Sequence, residues 1–191
     1  SYSFMQFAFN PLIGKISDRI GRRPIILISL STTVISYIVF SYSTTFGLLL
    51  FSRLLAGFGG SNIGVAQAYI ADITDSNDRA KGMGLIGAAF SLGFVFGPVL
   101  GGLIADFGYQ YVGFASAGFS FLALIFAVFF LPESLKEKKT LQNFDYTPLR
   151  KDDLLEVLRI PKIAFIIGLF FIIVFAVANI YGTFALLGQE H

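Results

Sequence analysis

Gly14-Lys-Ile-Ser-Asp-Arg-Ile-Gly-Arg-Arg23 places five charged side chains and two glycines between two strongly apolar runs. Because charged side chains are costly inside a bilayer, we expect this stretch to lie outside it. It would then be a charged hinge that joins two membrane helices. A simple cluster of basic residues would also keep a loop in the cytoplasm. That explanation accounts for neither Asp18 nor the two glycines.

The composition of the whole chain is that of a membrane protein. Of its 191 residues, 55% are hydrophobic and only 14% are charged, whereas soluble domains have about 25% charged residues. The chain contains no cysteine, which excludes disulfides, thiolate chemistry and cysteine-based metal sites. No cofactor, metal or nucleic-acid partner is expected. The chain starts at Ser1 without a basic leader, so it looks like an internal piece of a longer protein.

The charge distribution predicts one topology. Thirteen of the 14 Lys and Arg residues fall in three of the segments between apolar runs, and the two remaining segments have none. By the positive-inside rule, the three basic segments are cytoplasmic and the last helix runs outward. The predicted spans are residues 1 to 13, 25 to 42, 46 to 70, 82 to 105, 111 to 131 and 162 to 188.

The opening stretch has the form G-x-x-x-D-R-x-G-R-R, which resembles the loop between the second and third helices of the major facilitator superfamily. The resemblance implies an all-α membrane protein with part of a twelve-helix fold, built from inverted three-helix repeats. Residues 1–131 would be the remainder of the first six-helix half, 132–161 the central cytoplasmic linker, and 162–191 the first helix of the second half. The first helix and the rest of the second half would be its partners.

The same resemblance implies a conformational latch at the cytoplasmic surface. Asp18 would cap a helix of the other half, while Arg22 would pair with Asp72 at the end of the fourth helix and so stabilise the outward-open state. Alternatively, Asp72 is one of several solvated charges, and its pairing contributes at most about 1 kcal/mol. The complete predicted latch comprises Gly14, Asp18, Arg19, Gly21, Arg22, Arg23 and Asp72.

Arg53 carries a charge within an apolar run and must therefore face protein or water. In a continuous helix, Gly57, Gly60, Gly64 and Gln67 would share its face. Arg53 is either a tether to a backbone carbonyl or a cation that lines a cavity. Its setting, Leu49-x-x-x-Arg53-x-x-x-Gly57, is similar to the superfamily's fourth-helix signature, whose Arg is implicated in proton coupling. The glutamine usual before the glycine is replaced by alanine.

The predicted fifth helix is rich in glycine at regular spacing. Three of these glycines are four residues apart, so that they share a face that permits close contact with another helix. The whole pattern resembles the signature of the drug:proton antiporters of the superfamily. It reads Gly84-x8-Gly93-x3-Gly97-Pro98-x2-Gly101-Gly102.

Uncharged polar residues in the spans are the candidates for substrate contacts: Gln6, Ser36, Gln67 and Asn179. Each could instead form a hydrogen bond with a neighbouring helix, which contributes about 0.6 kcal/mol on average in membranes. Phe90 and Phe94 are candidates to line an apolar pocket. Because no span contains an acid, His or Cys, an intramembrane enzyme is not expected.

Bacterial tetracycline and multidrug:proton antiporters resemble the chain in several further motifs. These are Gln6-Phe-Ala-Phe-Asn-Pro11, Ser52-Arg-Leu-Leu-Ala-Gly57, Tyr69-Ile-Ala-Asp-Ile-Thr74 and Leu131-Pro-Glu-Ser134. The resemblance implies proton-coupled efflux of a hydrophobic drug-like or tetracycline-like molecule, and hence drug resistance, across the bacterial inner membrane. Some tetracycline carriers have an Asp before a Tyr in the third helix, where this chain has Ser36-Tyr37, which favours a broader range of hydrophobic solutes. The alternatives are an importer of a sugar or other organic solute and a non-transporting membrane protein on the same scaffold.

Overall fold

The computed structural model describes residues 2–135 and, beyond them, residues 160, 161, 163–165, 168, 169, 171, 172 and 175. The chain divides into two units, Ser1–Leu141 and Gln142–His191. Most of the predicted linker and much of the predicted sixth span lie outside the described residues. The same holds for Asn179.

The described part of the first unit is built from helices alone. Four segments are long and apolar enough to cross a membrane: α2, the combined α3 to α4 segment, α5 and α6. The all-helical membrane architecture predicted from the sequence is thus confirmed for these residues. The helices are α1 (Tyr2–Ile20), α2 (Arg22–Ser41), α3 (Phe46–Gly59), a 3-10 turn (Gly60–Asn62), α4 (Ile63–Ile73), α5 (Arg79–Ala105) and α6 (Tyr109–Phe130).

The prediction of an eleven-residue loop between the first two helices is wrong. Helix α1 continues through the charged stretch to Ile20, and Gly21 alone separates it from α2, which begins at Arg22. Gly21 has a φ of 123°, a conformation that L side chains rarely adopt. The prediction failed because an apolar run indicates how much of a helix lies in lipid, and a helix can extend beyond the bilayer into water.

Helix α2 lies at the centre of the described bundle and packs against α6 and α3. At one end, the Tyr109 hydroxyl donates a hydrogen bond of 3.0 Å to the Ser43 carbonyl. Close by, the rings of Tyr42 and Phe114 pack edge to face with centroids 5.4 Å apart. A Cβ atom at Gly113 would overlap the Ser41 hydroxyl. Position 113, where α6 crosses α2, therefore has no room for a side chain and requires glycine.

Small residues fill the interior of this bundle. The side chains of Ser17, Ser36 and Ser52 are fully buried, and each hydroxyl donates to a carbonyl of its own helix. Large apolar side chains such as Phe7 and Phe129 are instead mostly exposed on the outside. Such an arrangement is expected in lipid, because small residues let helix backbones approach closely and apolar side chains gain nothing from leaving the hydrocarbon.

A 3-10 turn interrupts the helix that was predicted to run unbroken from 46 to 70. Ser61 leaves helical geometry, with φ −73° and ψ 15°, and its hydroxyl donates to the Gly57 carbonyl at 3.0 Å. Across the interface, Gln6 Nε2 donates to the Gly60 carbonyl at 2.9 Å. The sequence contained a signal for this break, since Gly59-Gly60-Ser61 is a typical site for a sharp helix bend.

Candidate functional site

The most densely bonded polar cluster in the described residues lies where α1 meets α2, α4 ends and the chain leaves α6. We call this cluster the charged end. Arg22, the first residue of α2, lies at its centre with only 8% of its surface exposed. The members of the charged end are Ser17, Asp18, Gly21, Arg22, Arg23, Asp72, Glu133 and Ser134.

The Arg22 guanidinium binds both carboxylates that the sequence assigned to the latch. Its Nη1 lies 2.6 Å from Asp18 Oδ1, and its Nε lies 3.1 Å from Asp72 Oδ2. Nη1 also donates to the buried Ser17 hydroxyl at 2.6 Å. The predicted Arg22–Asp72 contact is therefore present. Because the arginine is nearly buried, removing either acid should cost more than the loss of an exposed surface pair would.

Sequence reasoning assigned no role to Glu133 and Ser134, and both take part in the charged end. Glu133 Oε1 accepts a hydrogen bond of 2.8 Å from the Arg22 backbone N–H. The Ser134 hydroxyl donates to Asp72 Oδ2 at 3.2 Å. The sequence carried one signal, because Glu133 and Ser134 complete the Leu131-Pro-Glu-Ser134 motif at the end of the last apolar run of this unit.

The remaining latch residues have more varied surroundings. Arg23 Nη2 donates to the Val128 carbonyl in the last turn of α6 at 2.8 Å. Arg19 lies in the last turn of α1. Gly14 has open space where a Cβ would be, and its carbonyl accepts the Ser17 hydroxyl. Gly21, Arg22 and Arg23 thus contact residues of other segments, whereas Gly14 contributes only its backbone carbonyl.

Arg53, on α3, is partly buried against aromatic rings of α2. Its guanidinium carbon lies 4.4 Å from the centroid of Phe40 and 6.0 Å from that of Tyr37. Its Nε is buried and has no hydrogen-bond partner among the described residues. These contacts differ from the carbonyl tether considered above, because a cation over a ring face is held by the quadrupole of the ring.

The predicted polar stripe beyond Arg53 is not continuous. Gly57 and Gly60 do lie against α1, where a Cβ would press on Tyr2. Gly64 and Gln67 belong to the separate helix α4, beyond the 3-10 turn, and both are exposed. The prediction assumed 100° of rotation per residue throughout, and the tighter turn between Gly60 and Asn62 breaks that register.

The glycine face of α5 has no neighbour within the described part of the chain. Around Gly84, Gly93, Gly97, Gly101 and Gly102, an added Cβ would meet nothing within 4 Å. Pro98 lies inside α5, whose helical geometry is assigned without a break. Only Gly82, near the start of this 27-residue helix, is buried.

A cavity of about 520 Å³, widely open to the outside, lies between α4 and α5. Phe90, Phe94 and Gly93 line it on the α5 side, and Asn62, Ile63 and Ala66 line it from the 3-10 turn and the start of α4. The two phenylalanines suggested by the sequence therefore do border an apolar pocket. Its size falls within the range of about 300–1,000 Å³ that is usual for small-molecule sites.

The candidate substrate residues lie in different surroundings. Gln6 uses its amide group to bond the Gly60 carbonyl. Ser36 is completely buried, and its hydroxyl donates to the Thr33 carbonyl at 2.7 Å, so it presents no surface to a solute in this conformation. Gln67 is exposed on α4. Asn179 lies outside the described residues.

Comparison with known proteins identifies the class. The family model described as Major Facilitator Superfamily matches residues 1–191, so the chain belongs to this superfamily. The tetracycline resistance protein, class C, of Escherichia coli is 41% identical over 138 residues, which are 72% of this chain and 35% of that protein. Multidrug resistance protein 2 of Bacillus subtilis is 35% identical over 148 residues, or 77% of this chain and 37% of that protein.

A solved structure agrees with this assignment. The human organic anion transporter MFSD10 is 37% identical and superposes with a TM-score of 0.66, over 72% of this chain and 32% of that chain. The predicted fold is thereby confirmed. The chain spans about a third of the length of the relatives it matches.

Proposed function

We propose that this chain forms part of a secondary transporter that exports a hydrophobic, drug-like or tetracycline-like molecule in exchange for protons by alternating access. The observation that carries the proposal is the charged end, where Arg22 binds Asp18 and Asp72 together. The similarity to proteins named for tetracycline and multidrug resistance supports efflux rather than uptake. The setting that we propose is the cytoplasmic membrane of a bacterium.

In this proposal, the charged end acts as a latch. Asp18 is 48% exposed in its side chain while it remains bound to Arg22, so one carboxylate oxygen can engage a further partner. That partner is a helix N-terminus in the other half of the transporter, where a carboxylate is favourable. A contact made in only one state shifts the balance between states by its own free energy. The latch would thus set how readily the transporter opens inward.

Asp18→Asn tests the latch in the complete transporter. We expect substrate affinity to stay measurable and transport to fall severely, because the change acts on the balance of states and not on the pocket. Asp78→Asn is the matched control, since Asp78 forms only an exposed pair with Lys81, and it should transport normally. Wild-type transport by well-expressed Asp18→Asn would contradict the latch.

The cavity between α4 and α5 supports a hydrophobic substrate. Apart from Asn62, its lining residues carry no polar side chain. Such a lining binds the apolar surface of a ligand, and only a few polar groups fix the orientation of that ligand. We propose that this cavity forms part of the substrate path, together with residues outside the described range.

Arg53 supports proton coupling. Arginine stays protonated in proteins, so it cannot carry the proton itself. We propose that Arg53 approaches a carboxylic acid outside the described residues and lowers the pKa of that acid when the two are close.

A second candidate function is the import of an organic solute, such as an organic anion, by the same fold. Two observations favour an anionic solute: the positive charge of Arg53 beside the rings of Phe40 and Tyr37 and the similarity to a human organic anion transporter. The two candidates differ in the direction of substrate flow relative to protons. Transport assays in a pH gradient separate them.

A further inference from the structure

We propose that Glu133 is a positioning residue of the latch, because it caps α2 from the end of α6 and thereby fixes the place of Arg22. This inference rests on the latch role proposed above and extends it to the segment that follows α6. It assigns a function to Glu133 and Ser134, which the Leu131-Pro-Glu-Ser134 motif marked without indicating a role.

The start of α2 lacks a cap of its own. Gly21 precedes it, no side-chain cap bond comes from that position, and the first turn contains no acidic residue. The first N–H groups of any helix need acceptors from elsewhere. Glu133 Oε1 meets this need at Arg22 N with a distance of 2.8 Å. Its negative charge also lies at the favourable, positive end of the helix dipole.

The carboxylate is held in place by its own segment. The backbone N–H groups of Ser134 and Leu135 donate to the same Oε1 atom at 3.1 Å and 3.2 Å. On the other side, a Cβ at Gly21 would overlap the Glu133 carboxylate. The glycine therefore serves both the turn and the approach of the cap.

The start of α2 and the end of α6 are capped reciprocally, because Glu133 follows α6 and caps α2 while Arg23 of α2 caps α6. The last turn of α6 contains no basic residue, and Arg23 supplies a cation there by donating to the Val128 carbonyl at 2.8 Å. Cations are favourable at the C-terminal end of a helix. The contact between Glu133 and Arg22 thus stabilises the start of α2, and the contact between Arg23 and Val128 stabilises the end of α6.

The capping segment also reaches the acid that pairs with Arg22. The Ser134 hydroxyl donates to Asp72 Oδ2, and the same oxygen accepts from Arg22 Nε. Glu133 therefore holds the backbone of Arg22, while Ser134 holds the carboxylate that its side chain binds. Together they couple the ends of α2, α4 and α6, so that the latch moves as one unit with the segment after α6.

Hydrogen exchange and transport in the complete transporter test this inference. Glu133→Ala should speed exchange of the first-turn amides of α2 about fivefold and lower the maximal transport rate by a similar factor, with KM unchanged. Glu133→Gln keeps an acceptor oxygen at the same reach and loses only the charge, so it should lie closer to wild type than Glu133→Ala does. Glu133→Asp keeps the charge but is one methylene shorter, and it should resemble Glu133→Ala. Asp78→Ala removes an exposed carboxylate that directly precedes α5 and should change neither quantity.

Three results would overturn the inference. The first is wild-type exchange in Glu133→Ala, and the second is a Glu133→Asp protein closer to wild type than Glu133→Gln. The Gln and Asp proteins decide the matter even if Glu133→Ala does not fold. The third is faster exchange in Glu133→Ala with normal transport, which would show that Glu133 caps α2 without positioning Arg22 for the latch. Failure of the latch itself would show separately, as normal transport by Asp18→Asn.

Discussion

Arg53 shows that a sequence can single out a candidate residue without predicting which side chains contact it. Its charge within an apolar span predicts a functional role, which stays a prediction. The stacking on Phe40 could not be predicted, because it depends on how α3 is rotated against α2. Glu133 is the opposite case. Its bond to Arg22 spans 111 residues, and the Leu131-Pro-Glu-Ser134 motif does not indicate that Glu133 caps a helix so distant in sequence.

Arg53→Ala should abolish uphill, proton-driven transport and leave downhill transport in place, because the acid that it tunes would no longer release its proton at the working pH. Arg53→Lys should retain part of the uphill activity, since it keeps the charge and loses the planar fork. The assay is transport in proteoliposomes with an imposed pH gradient.

Lys81→Ala is the control for loss of a positive charge, because Lys81 lies in an exposed pair outside the spans. It should behave as wild type. Full uphill transport by Arg53→Ala would leave Arg53 with a structural role only.

At the scale of the helices, hydropathy placed the apolar runs in the right order, misplaced their ends and missed the division of the third run into α3, a 3-10 turn and α4. The predicted spans ended where charged residues begin, whereas α1 and α5 extend into the charged segments. The break at Gly60 was missed for a different reason. A bend is stabilised by partners such as Gln6, which lies 54 residues away, and a periodicity argument treats each helix alone.

The crossing of α2 and α6 makes a prediction about stability. Gly113→Leu should destabilise the protein by about 1–3 kcal/mol, because it forces a large side chain into a closely packed contact. Gly118→Leu is the matched control on the same helix, since nothing lies within 4 Å of a Cβ placed there. Thermal unfolding of the purified transporter in detergent measures the difference. Equal losses for the two variants would show that this crossing is not tightly packed.

At the scale of the whole molecule, membership of the Major Facilitator Superfamily rests on the family match and on a solved relative. The sidedness of the membrane helices remains a prediction from the distribution of Lys and Arg. Substrate and direction could not be read from this chain, because the site in this fold forms between two halves and the chain spans about a third of its matched relatives.

Coupled transport by the complete protein tests the central claim most directly. The purified transporter would be reconstituted in vesicles with a known orientation, loaded with a hydrophobic drug-like substrate at equal concentration on both sides, and given a pH gradient. We predict that the substrate accumulates against its own gradient on the side from which protons leave, and that a protonophore stops the accumulation. Accumulation on the side that protons enter, or no accumulation of a substrate that still equilibrates, would contradict proton-coupled efflux.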